Sequence, residues 1–267
     1  DLYLPTTATG GPRAAVVWIH GGGWTGGDKA GPREKEICGV LADAGYVVAS
    51  VNYRLGDGAW AGNLMDCKNA VRFMRAKAAE YDVDPDRIAI GGGSAGAHLA
   101  LLVAFTARLN NFEPSDSATL HIGAGSEVRC VLDLYGPTSL LSREATDDMG
   151  RPLGRRRPAA NSMAAFGVPN SFRDPQFLIG ASPVTYVDAG SPPVLILQGT
   201  IDPQVDPGQP KLLASVLSQF DIPHEMIFVE GAGHGFGLEN WNGKPISRDL
   251  RPVVLAFLAK HLGPTIR

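Results

Sequence analysis

Residues 87–98 read RIAIGGGSAGAH and predict a strand, a sharp turn and a helix that meet at Ser94. The β-branched run 88–90 is typical of a buried strand, and the alanine- and leucine-rich segment 95–107 is typical of a helix. The sequence GGSAG at 92–96 matches G-x-S-x-G, in which glycines let backbones pass close together and the serine hydroxyl points above a sheet edge. This pattern also occurs by chance, so Ser94 needs partners elsewhere in the chain.

Apolar runs alternate with amphipathic segments along most of the chain. This alternation predicts an α/β fold, with a mostly parallel central sheet and helices on both faces. A length of 267 residues with one such pattern favours a single domain spanning 1–267. Further strands are predicted at 14–19, 46–53, 128–134, 193–197 and 224–229, and further helices at 32–44, 63–79, 209–220 and 248–261. A turn at Asp84-Pro85-Asp86 is expected to lead into the central strand.

Residues 138–190 lack sustained periodicity and contain several prolines and glycines. A stretch of this length inside a compact domain is usually functional, so it predicts an irregular insertion over the carboxyl edge of the sheet, either a lid or a cap. The alternative is a surface excursion unrelated to substrate. Its basic cluster, Arg155 to Arg157, fits a solvated patch or a carboxylate clamp.

Composition gives no support for several kinds of partner. A net charge of -3 gives no reason to expect nucleic acid or an anionic membrane as a partner, and no apolar run approaches the ~18 residues of a membrane span. The three cysteines, Cys38, Cys67 and Cys130, lack metal-type spacing and are predicted to be buried small hydrophobic residues, and their odd number gives no support for a disulfide framework.

The start of the chain bears on its location in the cell. The chain begins at Asp1 without a methionine, and residues 1–5 look like the end of a strand, so we expect an upstream signal or strand to have been removed. The sequence leaves open whether the protein is secreted, periplasmic or cytoplasmic, and it leaves the oligomeric state open.

A serine hydroxyl is a weak nucleophile that needs a base and a group to orient that base. Asp202 follows the strand 193–197, and His234 follows the strand 224–229 in a glycine-flanked loop. Both therefore lie at the carboxyl edge of a parallel sheet, as Ser94 does. Asp206 is an alternative acid. His98, on the helix after Ser94, is predicted to pack under the turn or to cap a nearby carbonyl.

The sequence HGGGW at 20–24 follows the strand 14–19 and predicts a loop whose backbone N–H groups turn inward. We assign an oxyanion hole to the N–H groups of Gly22, Gly23 and Ala95, with His20 bracing the loop. The segment lacks the glycine spacing of phosphate or dinucleotide sites. Trp24 and Trp60 either wall an acyl or aromatic pocket or serve only in packing.

With HGGGW, YRLG, DPDRIAIGGGSAGAHLA, LQGTIDPQV and GAGHGF in this order, the chain resembles the α/β-hydrolase superfamily. More closely, it resembles hormone-sensitive-lipase-like esterases and their carbohydrate-esterase relatives, which remove acetyl or feruloyl groups from plant polysaccharides. The resemblance implies a serine esterase without cofactor or metal, with Ser94, Asp202 and His234 as its catalytic triad. It also implies a small-molecule or oligosaccharide ester as substrate.

Two departures from the lipase-like pattern narrow this resemblance. Lipase-like members usually carry an acidic residue where this chain has Gly93, and their cap is commonly an N-terminal helical segment that this sequence does not contain. Both departures favour the compact carbohydrate-esterase or arylformamidase-like branch. An arylformamidase or another amide hydrolase is the alternative enzyme, and a non-catalytic binding protein of the same fold would require a missing triad member.

Overall fold

A seven-stranded sheet forms the centre of the fold. The computed structural model describes residues 1–6, 11–56, 58–109, 112, 121, 123–141 and 175–265. The strand order is β1-β3-β2-β4-β5-β6-β7, in which β1 pairs antiparallel and every other pair is parallel. The strands are β1 (Leu2–Tyr3), β2 (Arg13–Ile19), β3 (Val47–Val51), β4 (Val83–Gly93), β5 (Val131–Leu134), β6 (Val194–Gly199) and β7 (His224–Val229).

Helices cover both faces of this sheet. Buried side chains form two apolar clusters, one beneath α2, α3 and α5 and the other beneath α1 and α6. The helices are α1 (Pro32–Asp43), α2 (Gly62–Ala76), α3 (Ala95–Phe105), α4 (Pro175–Gly180), α5 (Gly208–Gln219) and α6 (Arg251–Leu262). The predicted α/β-hydrolase fold, with its mostly parallel sheet and helices on both faces, is therefore confirmed.

The central strand β4 begins earlier than the sequence predicts. Asp84-Pro85-Asp86, predicted as a turn before the strand, lies inside β4. Arg13 of β2 pairs with Val83, whereas Ala15 pairs with Ile88, so the register shifts and β4 carries extra residues here. Proline has no N–H to donate to the ladder, and a bulge accommodates it within a strand.

The predicted insertion 138–190 is described only at its two ends. Residues 142–174, including Arg155 to Arg157, lie outside the described residues, so the lid and the single-domain assignment stay predictions. The described part contains α4 and a short 3₁₀ helix at Pro183–Tyr186. At its start, Thr138 N–H donates to Gln209 Oε1 over 2.8 Å, which ties this segment to α5.

The predicted burial of Cys38, Cys67 and Cys130 is confirmed, and all three are free thiols. Burial raises the pKa of the Cys38 thiol to about 12, which keeps it protonated and unreactive near neutral pH. Across the described ranges, every helix is too short or too polar to cross a bilayer.

Asp133 on β5 generates a test of the core. Its side chain is buried, its Oδ1 accepts the Gly136 N–H over 2.8 Å, and burial raises the pKa of its carboxyl to about 7. Between about pH 4 and pH 7 the unfolded carboxyl loses its proton while the folded one keeps it. We therefore expect wild type to lose stability relative to Asp133→Asn as pH rises through this window, by up to about 1.4 kcal/mol per pH unit.

Urea unfolding of both proteins at several pH values from about 5 to 8 measures this difference. Asparagine keeps an oxygen for the Gly136 N–H, and the two proteins share every other titrating group. The contributions of those groups to the pH dependence therefore cancel in the difference between the two free energies of unfolding. A gap in free energy of unfolding that does not change with pH would contradict the expectation.

Candidate active site

Ser94 occupies the sharp turn between β4 and α3. Its backbone has φ 56° and ψ -122°, a left-handed conformation that a non-glycine residue rarely adopts. Its N–H donates to Leu134 O of the neighbouring strand over 2.9 Å, which fixes the turn to the sheet. The predicted strand–turn–helix arrangement is confirmed.

Glycines on both sides of Ser94 allow the backbone of β2 to come very close. A Cβ added at Gly92 would lie 2.5 Å from Ile19 O, and one added at Gly96 would lie 2.5 Å from His20 O. Real Cβ atoms are not found at such distances, so any side chain at either position would push α3 away from β2. The two glycines of the motif are therefore required by packing.

The structure brings the predicted base and acid to Ser94. Ser94 Oγ lies 2.8 Å from His234 Nε2, and His234 Nδ1 lies 2.8 Å from Asp202 Oδ2. The Asp202 side chain is completely buried, and the His234 side chain is 11% exposed. Because a carboxylate accepts the Nδ1–H of His234, Nε2 is left to accept the serine hydroxyl proton.

Asp202 is oriented by its own loop. Its Oδ1 accepts the N–H groups of Gln204 and Val205 over 2.8 and 3.0 Å, and its Oδ2 accepts the Gln198 amide over 3.1 Å. Asp206 instead accepts the Gly208 N–H over 2.6 Å, at the start of α5. Of the two candidate acids, the structure therefore brings Asp202, and not Asp206, to the histidine.

The HGGGW loop lies directly against the turn. A Cβ added at Gly21 would lie 2.8 Å from Gly93 O and 3.3 Å from Ser94 Cβ. Gly22 has φ 128°, and its carbonyl accepts the N–H groups of Thr25 and Gly26, so the loop is tightly turned.

Two of the N–H groups assigned to the oxyanion hole belong to this loop, and the third belongs to the residue after Ser94. Those of Gly22, Gly23 and Ala95 donate to no acceptor among the described residues. His20 Nδ1 donates to Gly21 O over 2.7 Å and its ring stacks on Tyr53, so its predicted bracing of the loop is confirmed.

His98 connects this loop with the end of the insertion. Its Nδ1 accepts the indole N–H of Trp24 over 3.2 Å, and its Nε2–H donates to Ala181 O over 2.8 Å, as the predicted carbonyl cap requires. Trp24 is 1% exposed and offers almost no surface to a ligand, which favours the packing alternative. Trp60 is partly exposed, and its role in substrate binding stays a prediction.

Tyr135, which follows β5, contacts His234 and was missed by sequence reasoning. Its hydroxyl donates to Phe236 O over 2.9 Å, and its ring packs edge-on against the His234 ring at 4.9 Å between centroids. Burial raises the pKa of the hydroxyl to about 12, so it stays protonated and able to donate. The only available signal was its position directly after a strand at the carboxyl edge.

Arg33 and Trp241 also hold the histidine loop and were not predicted. Arg33 pairs with buried Glu34 over 2.6 Å, and its guanidinium lies beside both Gly21 and Gly235, between the HGGGW loop and the histidine loop. The Trp241 indole N–H donates to His234 O over 3.0 Å. These contacts leave His234 few alternative positions.

Within the described ranges, no group of three or more His, Cys, Asp or Glu side chains is arranged to hold a metal ion. The other histidines contact different partners. His224 donates to Ile222 O, and His121 packs against Phe73. The candidate chemistry therefore concentrates at Ser94 and its two partners.

One model of a known protein family covers most of the chain. The BD-FAE model matches residues 1–217. The chain belongs to the BD-FAE family. Among curated relatives, the Mycobacterium tuberculosis protein named esterase LipQ is 30% identical over 220 residues, covering 81% of this chain and 49% of that protein. The chain spans about half the length of the curated relatives it matches.

Solved structures share the fold over nearly the whole BD-FAE chain. A structure described as a truncated form of carbohydrate esterase from gut microbiota has a TM-score of 0.82 and 25% identity, covering 98% of this chain and 90% of that one. Thermogutta terrifontis esterase 2 with butyrate bound has a TM-score of 0.75 and 27% identity, covering 100% and 90%. The expected resemblance to α/β-hydrolase esterases is confirmed.

The space in front of Gly93 gives a test of the site's packing. A Cβ at Gly93 would lie 2.9 Å from the Tyr135 hydroxyl oxygen. We expect Gly93→Ala to lower the free energy of unfolding by about 1–3 kcal/mol, the usual cost of overpacking. In a Tyr135→Phe background the nearest atom is gone, so the cost should fall by more than about 0.5 kcal/mol.

Urea unfolding of the two single variants and the double variant measures this coupling. Gly39→Ala is the matched control, since its added Cβ meets nothing within 4 Å and lies inside α1. It should be neutral or stabilising by about 0.5–1 kcal/mol. Equal costs of Gly93→Ala in both backgrounds would show that Tyr135 does not fill this space.

Proposed function

We propose that this BD-FAE protein is a serine carboxylesterase that hydrolyses short-chain or aromatic acyl esters, acetyl or feruloyl esters of carbohydrates above all. The observation that carries the proposal is the unbroken series of hydrogen bonds from Ser94 Oγ to His234 and on to Asp202. A serine in this series has both the base and the orienting carboxylate that activate it.

The reaction proceeds in two half-reactions. Ser94 Oγ attacks the ester carbonyl carbon while His234 Nε2 takes its proton, and the carboxylate of Asp202 stabilises the imidazolium. The tetrahedral intermediate collapses when His234 returns this proton to the leaving alcohol, which leaves an acyl-enzyme. Water then attacks the acyl carbon and gives a proton to His234. The second tetrahedral intermediate collapses when His234 passes this proton to Ser94 Oγ, which releases the acid and restores the free serine and the neutral histidine.

The negative oxygen of each tetrahedral intermediate accepts hydrogen bonds from the N–H groups of Gly22, Gly23 and Ala95. Support for this assignment comes from the contact between the HGGGW loop and Ser94, and from the absence of another acceptor for these groups among the described residues. Ala95 is also the first residue of α3, where N–H groups are free of helical partners. Losing one such donor costs about 3 kcal/mol in transition-state stabilisation.

The relatives and the turn itself support this substrate class. One solved neighbour is described as a carbohydrate esterase, and another holds butyrate, a short acyl group. Gly93 and the ring of Tyr135 stand where lipase-like members carry an acidic residue, which favours the carbohydrate-esterase branch. We therefore expect acyl esters of sugars to be hydrolysed and long-chain lipids to be poor substrates.

The first test removes the nucleophile and its partners. We expect Ser94→Ala and His234→Ala to lower kcat for p-nitrophenyl acetate by more than about 10⁴-fold. Asp202→Asn should lower it by up to about 10⁴-fold, because the histidine then loses its orienting acceptor. Steady-state kinetics on purified protein measure these losses.

Asp206→Asn is the matched control, since it makes the same chemical change four residues away and outside the series. Its kcat should stay within about twofold of wild type. Full esterase activity in Ser94→Ala would disprove the assigned site.

A substrate panel tests the reaction class. We expect hydrolysis of p-nitrophenyl acetate together with acetylated xylan or methyl ferulate, and weak turnover of N-formylkynurenine, measured as kcat/KM. A higher kcat/KM for N-formylkynurenine than for every ester would make the protein an arylformamidase, which uses the same three residues. Ser94→Ala protein run beside wild type excludes a contaminating esterase.

A further inference from the structure

A second concave site lies beside the loop that carries His234. It is a cavity of about 320 Å³ between the residues that follow β7 and a small hairpin, β8 (Asn240–Trp241) and β9 (Lys244–Pro245). This volume falls at the small end of the range for ligand sites, ~300 to 1,000 Å³. The reaction proposed above does not use the cavity.

The hairpin holds its side chains in fixed positions. Asn242 and Gly243 connect the two strands with φ of 52° and 73°, as the tight Asn-Gly turn of a two-residue hairpin requires. Trp241 is anchored by its N–H bond to His234 O, and its ring lies against Gly233, where an added Cβ would be 2.5 Å from Cζ2. The half-buried indole therefore lines the cavity as a rigid wall.

The rim of the cavity is polar and carries both charges. Glu230, Asn242, Lys244 and Ser247 line it and are exposed. Glu230 and Lys244 form no ion pair with each other or with another described residue, although both face the same cavity. The carboxylate supplies acceptors and the ammonium supplies donors, and their charges sum to zero, which suits a neutral polar ligand better than an ion.

A sugar ring matches this combination of surfaces. A pyranose presents C–H groups on its faces, which pack on an indole, and hydroxyls around its edge, which both donate and accept hydrogen bonds. We propose that the cavity is an accessory saccharide subsite, which binds a neutral sugar residue of a polysaccharide substrate next to the acyl-transfer site. This inference rests on the proposed function, because it supplies the carbohydrate to which the ester is attached.

The position of the subsite fits this role. Glu230 follows β7 directly, so the cavity lies at the same carboxyl edge of the sheet as Ser94, which follows β4. Trp241 contacts the backbone of His234 and leaves its imidazole free for the series with Ser94 and Asp202. Binding there adds affinity for a polymer without altering the chemistry at the ester.

The test separates saccharide binding from ester hydrolysis. Isothermal titration calorimetry of Ser94→Ala protein with xylohexaose and mannohexaose measures binding, since this variant cannot turn over a substrate. We expect at least one of the two to bind, and its affinity to fall about tenfold when Lys244→Ala and Glu230→Gln are added, the effect of losing one or two hydrogen bonds. Lys77→Ala is the matched control, because Lys77 follows the end of α2 at the opposite edge of the sheet.

The same substitutions in protein with Ser94 intact provide the second measurement. KM for acetylated xylan should rise about tenfold, while kcat/KM for p-nitrophenyl acetate, which has no sugar, stays within about twofold and shows that the variant is folded. Absence of binding to both saccharides, or an equal affinity in the substituted protein, overturns the subsite. A wild-type protein that does not hydrolyse p-nitrophenyl acetate instead overturns the proposed function and leaves the calorimetric result to stand by itself.

Discussion

The site depends on the contact between the end of β2 and the turn at Ser94. Neither Gly92 nor Gly96 has room for a side chain against the carbonyls of Ile19 and His20, so two backbones meet without anything between them. This contact sets the first turn of α3 beside the HGGGW loop. It places the loop that carries the proposed oxyanion donors against the residue that carries the serine hydroxyl, an approach that side chains of ordinary size would prevent.

Groups outside the hydrogen-bonded series hold the histidine in place. Tyr135 packs against the His234 ring and donates to the carbonyl of Phe236, and the Trp241 indole N–H donates to the carbonyl of His234. Arg33 lies between the two glycine-rich loops. A loop rich in glycine is intrinsically mobile, and these contacts remove most of that freedom. The position of His234 is thus set by several side chains that come from distant parts of the sequence.

The sequence predicted the parts of this site that follow from strand ends and motif spacing. Parallel strands deliver the residues after them to one edge, so Asp202 and His234 could be identified from position, but the choice between Asp202 and Asp206 needed the shape of one loop. Tyr135 acts through a backbone carbonyl and a ring contact, and Arg33 acts through its position between two loops. Neither could be found, because such contacts leave no pattern in a sequence. The hairpin could have been found, since Asn242-Gly243 is a strong turn signal.

The loop that carries Asp202 differs from the histidine loop in where its orienting groups come from. Asp202 is oriented by Gln198, Gln204 and Val205, all within a few positions of it, so the direction of its carboxylate is encoded locally. The direction of the acid therefore depends on one short stretch of sequence, whereas the position of the base depends on residues from distant parts of the chain.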